Sequence, residues 1–149
     1  MAFYKSIDEI YGKDPEKSYL GGFHRRTKLL IHDLNLDEGR AGALLDVQNA
    51  FAHLPDFHLT MMDSINAVAL LVFAYRCHKL GATHSELGSA RIVDFNEQFP
   101  SLITASRDIE MLVKEESYEL NGKGIAHSTY SFDLGKGSHV GQIRLTEKV

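Results

Sequence analysis

A single cysteine, Cys77, leaves the 149-residue chain without any internal disulfide, and a lone thiol favours a reducing, intracellular setting. Long hydrophobic runs are also missing. The longest, from Ile65 to Tyr75, is interrupted by Asn66 and bounded by Asp63 and Arg76, well short of the ~18 apolar residues that a membrane-spanning helix needs. The amino terminus, MAFYKSIDEIYG, has no basic region followed by an apolar stretch and so does not read as a secretory signal. Positive charge is not in excess: 16 Lys and Arg stand against 20 Asp and Glu, and a net charge of −4 argues against bulk, nonspecific nucleic-acid binding. Internal repeats, low-complexity tracts and long linkers are absent, so one domain over residues 1–149 is expected. With 44% apolar and 24% charged residues, wholesale disorder is excluded.

What is present is organised around TMMDSINAVALLVFAYRCHKLG, residues 60–81. Its apolar run offers no polar face at any helical angle, and a helix that is hydrophobic all round is buried all round. Thr60 and Asp63 have the spacing of a capping box, Arg76, His78 and Lys79 suit the carbonyl end, and Gly81 suits a left-handed cap. Helical spacing is also read over Tyr4–Tyr11, over residues 22–34 (Phe23, Thr27, Leu30, Ile31, Leu34), over residues 38–53 (Ala41, Leu44, Leu45, Gln48, Phe51), and from Pro100 to about Glu116. Residues 82–99 fit either a short strand or a helical turn. From Tyr118 the period falls to two: Ala126, Ser128, Tyr130, Phe132 and Leu134 alternate with polar residues between glycine-rich turns. The expected fold is α+β, a helical body around a central apolar helix (about 61–80) with a small carboxy-terminal antiparallel β-meander (about 118–145).

Eight histidines direct attention to several short patterns. His53, Asp56 and His58 surround Pro55 in a way that could suit a divalent ion, although polar filling of a loop after a helix explains them as well. His32-Asp33 resembles the adjacent pair of the HD phosphohydrolases, which implies a metal that activates water, with His24 as the upstream histidine. His58-Leu-Thr60 and His127-Ser-Thr129 resemble the doubled H-x-T signature of the 2H phosphoesterases. That resemblance implies His58 and His127 as acid and base, with Thr60 and Thr129 steadying a phosphate oxygen. Gly135, Gly137 and Gly141 have strand signals on both sides, which fits a hairpin turn rather than a phosphate loop. Arg25, Arg26 and Lys28 form the densest basic cluster, a candidate anion or nucleic-acid contact or simply a solvated helix face.

No Ser-His-Asp or Cys-His arrangement is evident. The preferred expectation is a non-enzymatic protein-interaction factor, or a small subunit of a larger cytoplasmic assembly, with a protein partner or self-association and without cofactor or metal. The rivals are a phosphodiesterase using the two H-x-T elements and an anion- or nucleic-acid-binding protein using residues 24–28.

Overall fold

The computed structural model describes residues 1–11, 28–49, 52–81 and 90–148. Met61–Leu80 forms a twenty-residue helix, α2, bounded as its sequence requires: Thr60 accepts from the Asp63 amide, Asp63 accepts from the Thr60 amide, and Gly81 closes the helix at φ 63°. Eleven of its residues are buried, among them Leu70, Leu71 and Phe73, which leave the helix in different directions.

Among the described residues, what packs around α2 is mainly a sheet rather than a body of helices. Seven strands, β1 (Ala2–Ser6), β2 (Leu29–Asp37), β3 (Arg40–Val47), β4 (Arg91–Gln98), β5 (Ile109–Leu120), β6 (Ile125–Leu134) and β7 (His139–Lys148), pair antiparallel in the order β1-β2-β3-β5-β6-β7-β4. A single turn, α1 (Asp8–Tyr11), follows β1. Alternate residues of each inner strand face α2: Ala41, Ala43, Leu45 and Val47 on β3, Ile109, Met111 and Val113 on β5, and Ala126, Ser128, Tyr130, Phe132 and Leu134 on β6 are all buried. With one face packed and one solvated, the sheet has the ordinary antiparallel pattern.

The helical body around α2 is therefore corrected. Residues read as helix at 22–34 are outside the description up to 27 and lie on β2 from Leu29, while those at 38–53 contain β3. Residues 100–108 carry no regular element, and the rest of the expected fourth helix is β5. The meander is not a small appendage but the carboxy-terminal part of the seven-stranded sheet.

The β2 misreading has a specific cause. Register shifts between His32 and Asn35, and Asp33 adopts φ 52°, the mark of a bulge. The extra residue breaks the period of two and leaves Leu30, Ile31 and Leu34 at helical spacing.

Candidate active site

The amino end of α2 meets the ends of β4 and β7, and buried polar groups gather there. Ser64, one turn into the helix, has no exposed surface. Its Oγ shares a 2.7 Å hydrogen bond with His139 Nδ1, also buried, at the start of β7. Antiparallel pairing of Glu97 with Gly141 brings the β4 carboxylate to the same place, with Glu97 Oε1 3.9 Å from His139 Nδ1. Phe99 stands edge-on to the imidazole, with ring centroids 4.8 Å apart.

Burial governs the electrostatics. The Glu97 side chain is 2% exposed, and neither carboxylate oxygen has a hydrogen-bond partner. Desolvation pushes its pKa up to about 7 and holds His139 below its ordinary value. A carboxyl that ionises near neutrality beside an uncharged imidazole suits proton transfer at cellular pH. At the helix end, Asp63 N–H is taken by Thr60 and Ser64 N–H by the Thr60 carbonyl. The Met61 and Met62 amides are outside the helix's own bonds, at its positive end.

Gly141 fixes how closely β4 approaches. A Cβ there would lie 1.8 Å from the Asn96 carbonyl oxygen and 2.9 Å from Glu97 Cα. Gly141→Ala is expected to push β4 outward and cost about 1–3 kcal/mol. Urea denaturation measures the cost, and a change below ~0.5 kcal/mol would show that β4 yields freely.

The residues singled out from sequence lie elsewhere. His58 is exposed ahead of α2, its Nδ1 3.4 Å from the Asp56 carbonyl oxygen, and Thr60 is the helix cap. The Leu59 amide bonds Ile103, which packs where a Gly135 side chain would stand. His127 is eight residues back along β6 from that end, roughly 25 Å of strand. The pairs His58/Thr60 and His127/Thr129 are thus at opposite ends of β6. His53 and Asp56 are exposed, and they form no metal-ready group with His58 among the described residues. His32-Asp33 lies on a strand rather than a helix. His24, Arg25 and Arg26 are outside the described residues; Lys28 is exposed and sits at φ 54° immediately before β2. Gly135 and Gly137 take positive φ in the β6–β7 turn.

Ser64, Glu97 and His139 were not identified from sequence. They are far apart along the chain and form no local motif. The available signal was Glu97 itself, an acid on the core-facing parity of a strand, readable only once 91–98 is known to be a strand.

A seven-stranded antiparallel sheet wrapped around one long apolar helix is the hot-dog fold. Solved structures share it along nearly the whole chain. A mutant thioesterase from Pseudomonas aeruginosa is 12% identical, with a TM-score of 0.61 over 95% of this chain and 93% of that one. A putative thioesterase from Shewanella oneidensis is 11% identical, with a TM-score of 0.65 over 96% and 97%. Zebra fish thioesterase superfamily member 2 is 13% identical, with a TM-score of 0.54 over 95% and 94%. No protein-family model and no curated protein sequence matches the chain. At these identities the likeness establishes the fold.

The finding replaces the reading as a non-enzymatic interaction factor or assembly subunit, since the fold is shared with enzymes named for thioester chemistry. The 2H phosphoesterase reading falls on the separation of its two halves, and the basic-cluster reading finds no support in these likenesses. Among the described residues, no helix is long and apolar enough to cross a membrane.

Proposed function

We propose that the protein hydrolyses acyl thioesters in the cytoplasm, with Glu97 as the general base. The observation that carries this reading is the Glu97 carboxyl, shut from solvent without a hydrogen bond beside His139 and Ser64 at the amino end of the wrapped helix. Glu97 takes a proton from water as the water oxygen attacks the thioester carbonyl carbon. The Met61 and Met62 amides face the resulting oxyanion from the helix's positive end. The C–S bond then breaks, the thiolate recovers the proton from Glu97, and a carboxylic acid and a thiol leave. His139, fixed by Ser64, stands beside the carboxyl as a neutral neighbour. A neighbouring cleft of about 300 Å³, whose walls include Ile103, Ala105 and Ser138 together with the charged Asp108, Glu110 and Lys136, offers mixed apolar and polar walls for the acyl thioester.

The test is a series of acyl-coenzyme A thioesters of rising chain length, with free thiol followed by a chromogenic disulfide. Turnover that disappears in Glu97→Gln supports the proposal. The absence of thiol release from every member of the series would sink it.

Self-association is part of the same reading. β4 ends the sheet with its outer edge unpaired among the described residues, and Ile92, Val93 and Phe99 are exposed at or beside it. An uncovered apolar edge strand is a template for a second copy. Light scattering is expected to find a dimer that Val93→Lys weakens at least tenfold; a wild-type monomer at all concentrations would count against it.

A further inference from the structure

On the solvent face of the sheet, three potential ligand atoms converge. His32 on β2 presents Nε2 to Asp46 Oδ1 at 3.1 Å and to Asp108 Oδ1 at 3.7 Å, and all three atoms lie within 4.8 Å of one another. When a divalent ion holds nitrogen and oxygen ligands at about 2.1 Å in tetrahedral geometry, neighbouring ligand atoms are about 3.4 Å apart. The two observed separations bracket that value.

The second observation concerns Nε2 itself. It is closed to solvent and makes no hydrogen bond, although Asp46 Oδ1 lies 3.1 Å away. The opposite nitrogen, Nδ1, is 2.9 Å from Asp33 Oδ2. With Nδ1 donating to Asp33, Nε2 is left as the acceptor nitrogen, 3.1 Å from Asp46 Oδ1 and 3.7 Å from Asp108 Oδ1, and a carboxylate behind a ligating imidazole is the usual support of a metal-bound histidine. The β2 bulge that turns Asp33 out of register creates this support. Asp46 is held in place because its Oδ1 also accepts the Asp108 amide at 2.8 Å.

We infer that His32, Asp46 and Asp108 form a binding site for a divalent transition-metal ion of the zinc or cobalt class, with Asp33 supporting His32 and water completing the coordination. Two carboxylates facing one imidazole call for a cation between them. Burial opposes charge on His32, but the Asp46 and Asp33 carboxylates beside it outweigh it and raise the histidine's affinity for a proton. The rival occupant is therefore that proton, with His32 a structural cation. Arg107, whose charge also acts on Asp46, favours the proton-only alternative and limits the charge the site can accept. An ion there would tie β2 and β3 to the segment entering β5.

The metal-stripped full-length chain is titrated with Zn²⁺ by calorimetry and with Co²⁺ by visible absorption. One ion per chain is expected, with affinity falling at least tenfold in His32→Ala and in Asp108→Asn, and about 10–100-fold in Asp33→Asn. Asp108 is largely exposed, so its variant is expected to fold, and circular dichroism checks this. His127→Ala controls for adventitious surface binding and is expected to match the wild type. The inference is overturned if the wild type takes up no more metal than His32→Ala, or if binding survives both the His32 and Asp108 substitutions.

Discussion

Glu97→Gln is expected to abolish thioester hydrolysis and, at the same time, to stabilise the protein above neutral pH. The loss of a general base is worth about 10²–10⁴-fold in rate. The stability effect follows from linkage. The carboxyl ionises near 4.5 when exposed but near 7 in the folded chain, so between those values the folded state binds more protons and stability falls as pH rises. Below about 4.5 both states are protonated and the group contributes nothing; above about 7 the full penalty is present.

Removing the ionisation should therefore make the difference between variant and wild type about 1–3 kcal/mol more favourable at pH 8 than at pH 4. Denaturation at the two values reads this directly, independently of any constant effect of burying an amide. The wild-type rate should rise through an apparent pKa near 7. A variant whose stability difference is flat across pH would mean that Glu97 ionises in the folded state as it does in water.

Arg76→Met is expected to cost about 3–5 kcal/mol, because it strands a buried acid. Arg76 is 1% exposed, bonds Glu147, which is 5% exposed, and stands 3.8 Å from Glu115 Oε2 and 5.0 Å from the Tyr118 ring centroid. Tyr130 donates to the same Glu115 carboxylate, and Lys79 reaches its other oxygen at 3.0 Å. Burying a pair of charges costs nearly as much as their attraction returns, so the double variant Arg76→Met, Glu147→Leu should recover most of the loss. Urea denaturation of the single and double variants decides this. A single-variant cost below ~1 kcal/mol would mean that water reaches Glu147.

The two predictions bear differently on what the sequence disclosed. Helix α2 was legible because its signals are local: Thr60 and Asp63 at one end, Gly81 at the other, and apolar residues on every side between. Arg76 was expected near the carbonyl end as a cation matched to the helix dipole; its burial depends on Glu147, seventy-one residues away. Alternation in 126–134 was legible for the same local reason, and every residue assigned there to the packed face is buried.

β2 and β3 were not legible as strands. The Asp33 bulge disrupts one, and in the other Leu44 points to the solvent face, placing it with Ala41 and Leu45 at helical spacing. The candidate site was illegible because Ser64, Glu97 and His139 meet only through α2 packing and the β4–β7 register. The H-x-T elements were visible because they are contiguous, and contiguity did not bring the two copies together.

The order of the strands has a consequence for synthesis. Among the described residues β4 pairs only with β7, the last of the seven strands, and Arg76 finds its buried partner on β7 as well. At about 5–20 residues per second, α2 leaves the ribosome on the order of several seconds before β5, β6 and β7 exist to cover it. Throughout that interval the nascent chain displays an apolar helix without its wrapping and an edge strand without its neighbour. Neither can be completed before β7 emerges, so this half of the sheet closes only once all seven strands have been made. In cells the demand for a holdase should therefore fall on ribosome-bound chains, and a chain stopped before His139 should aggregate instead of folding in part.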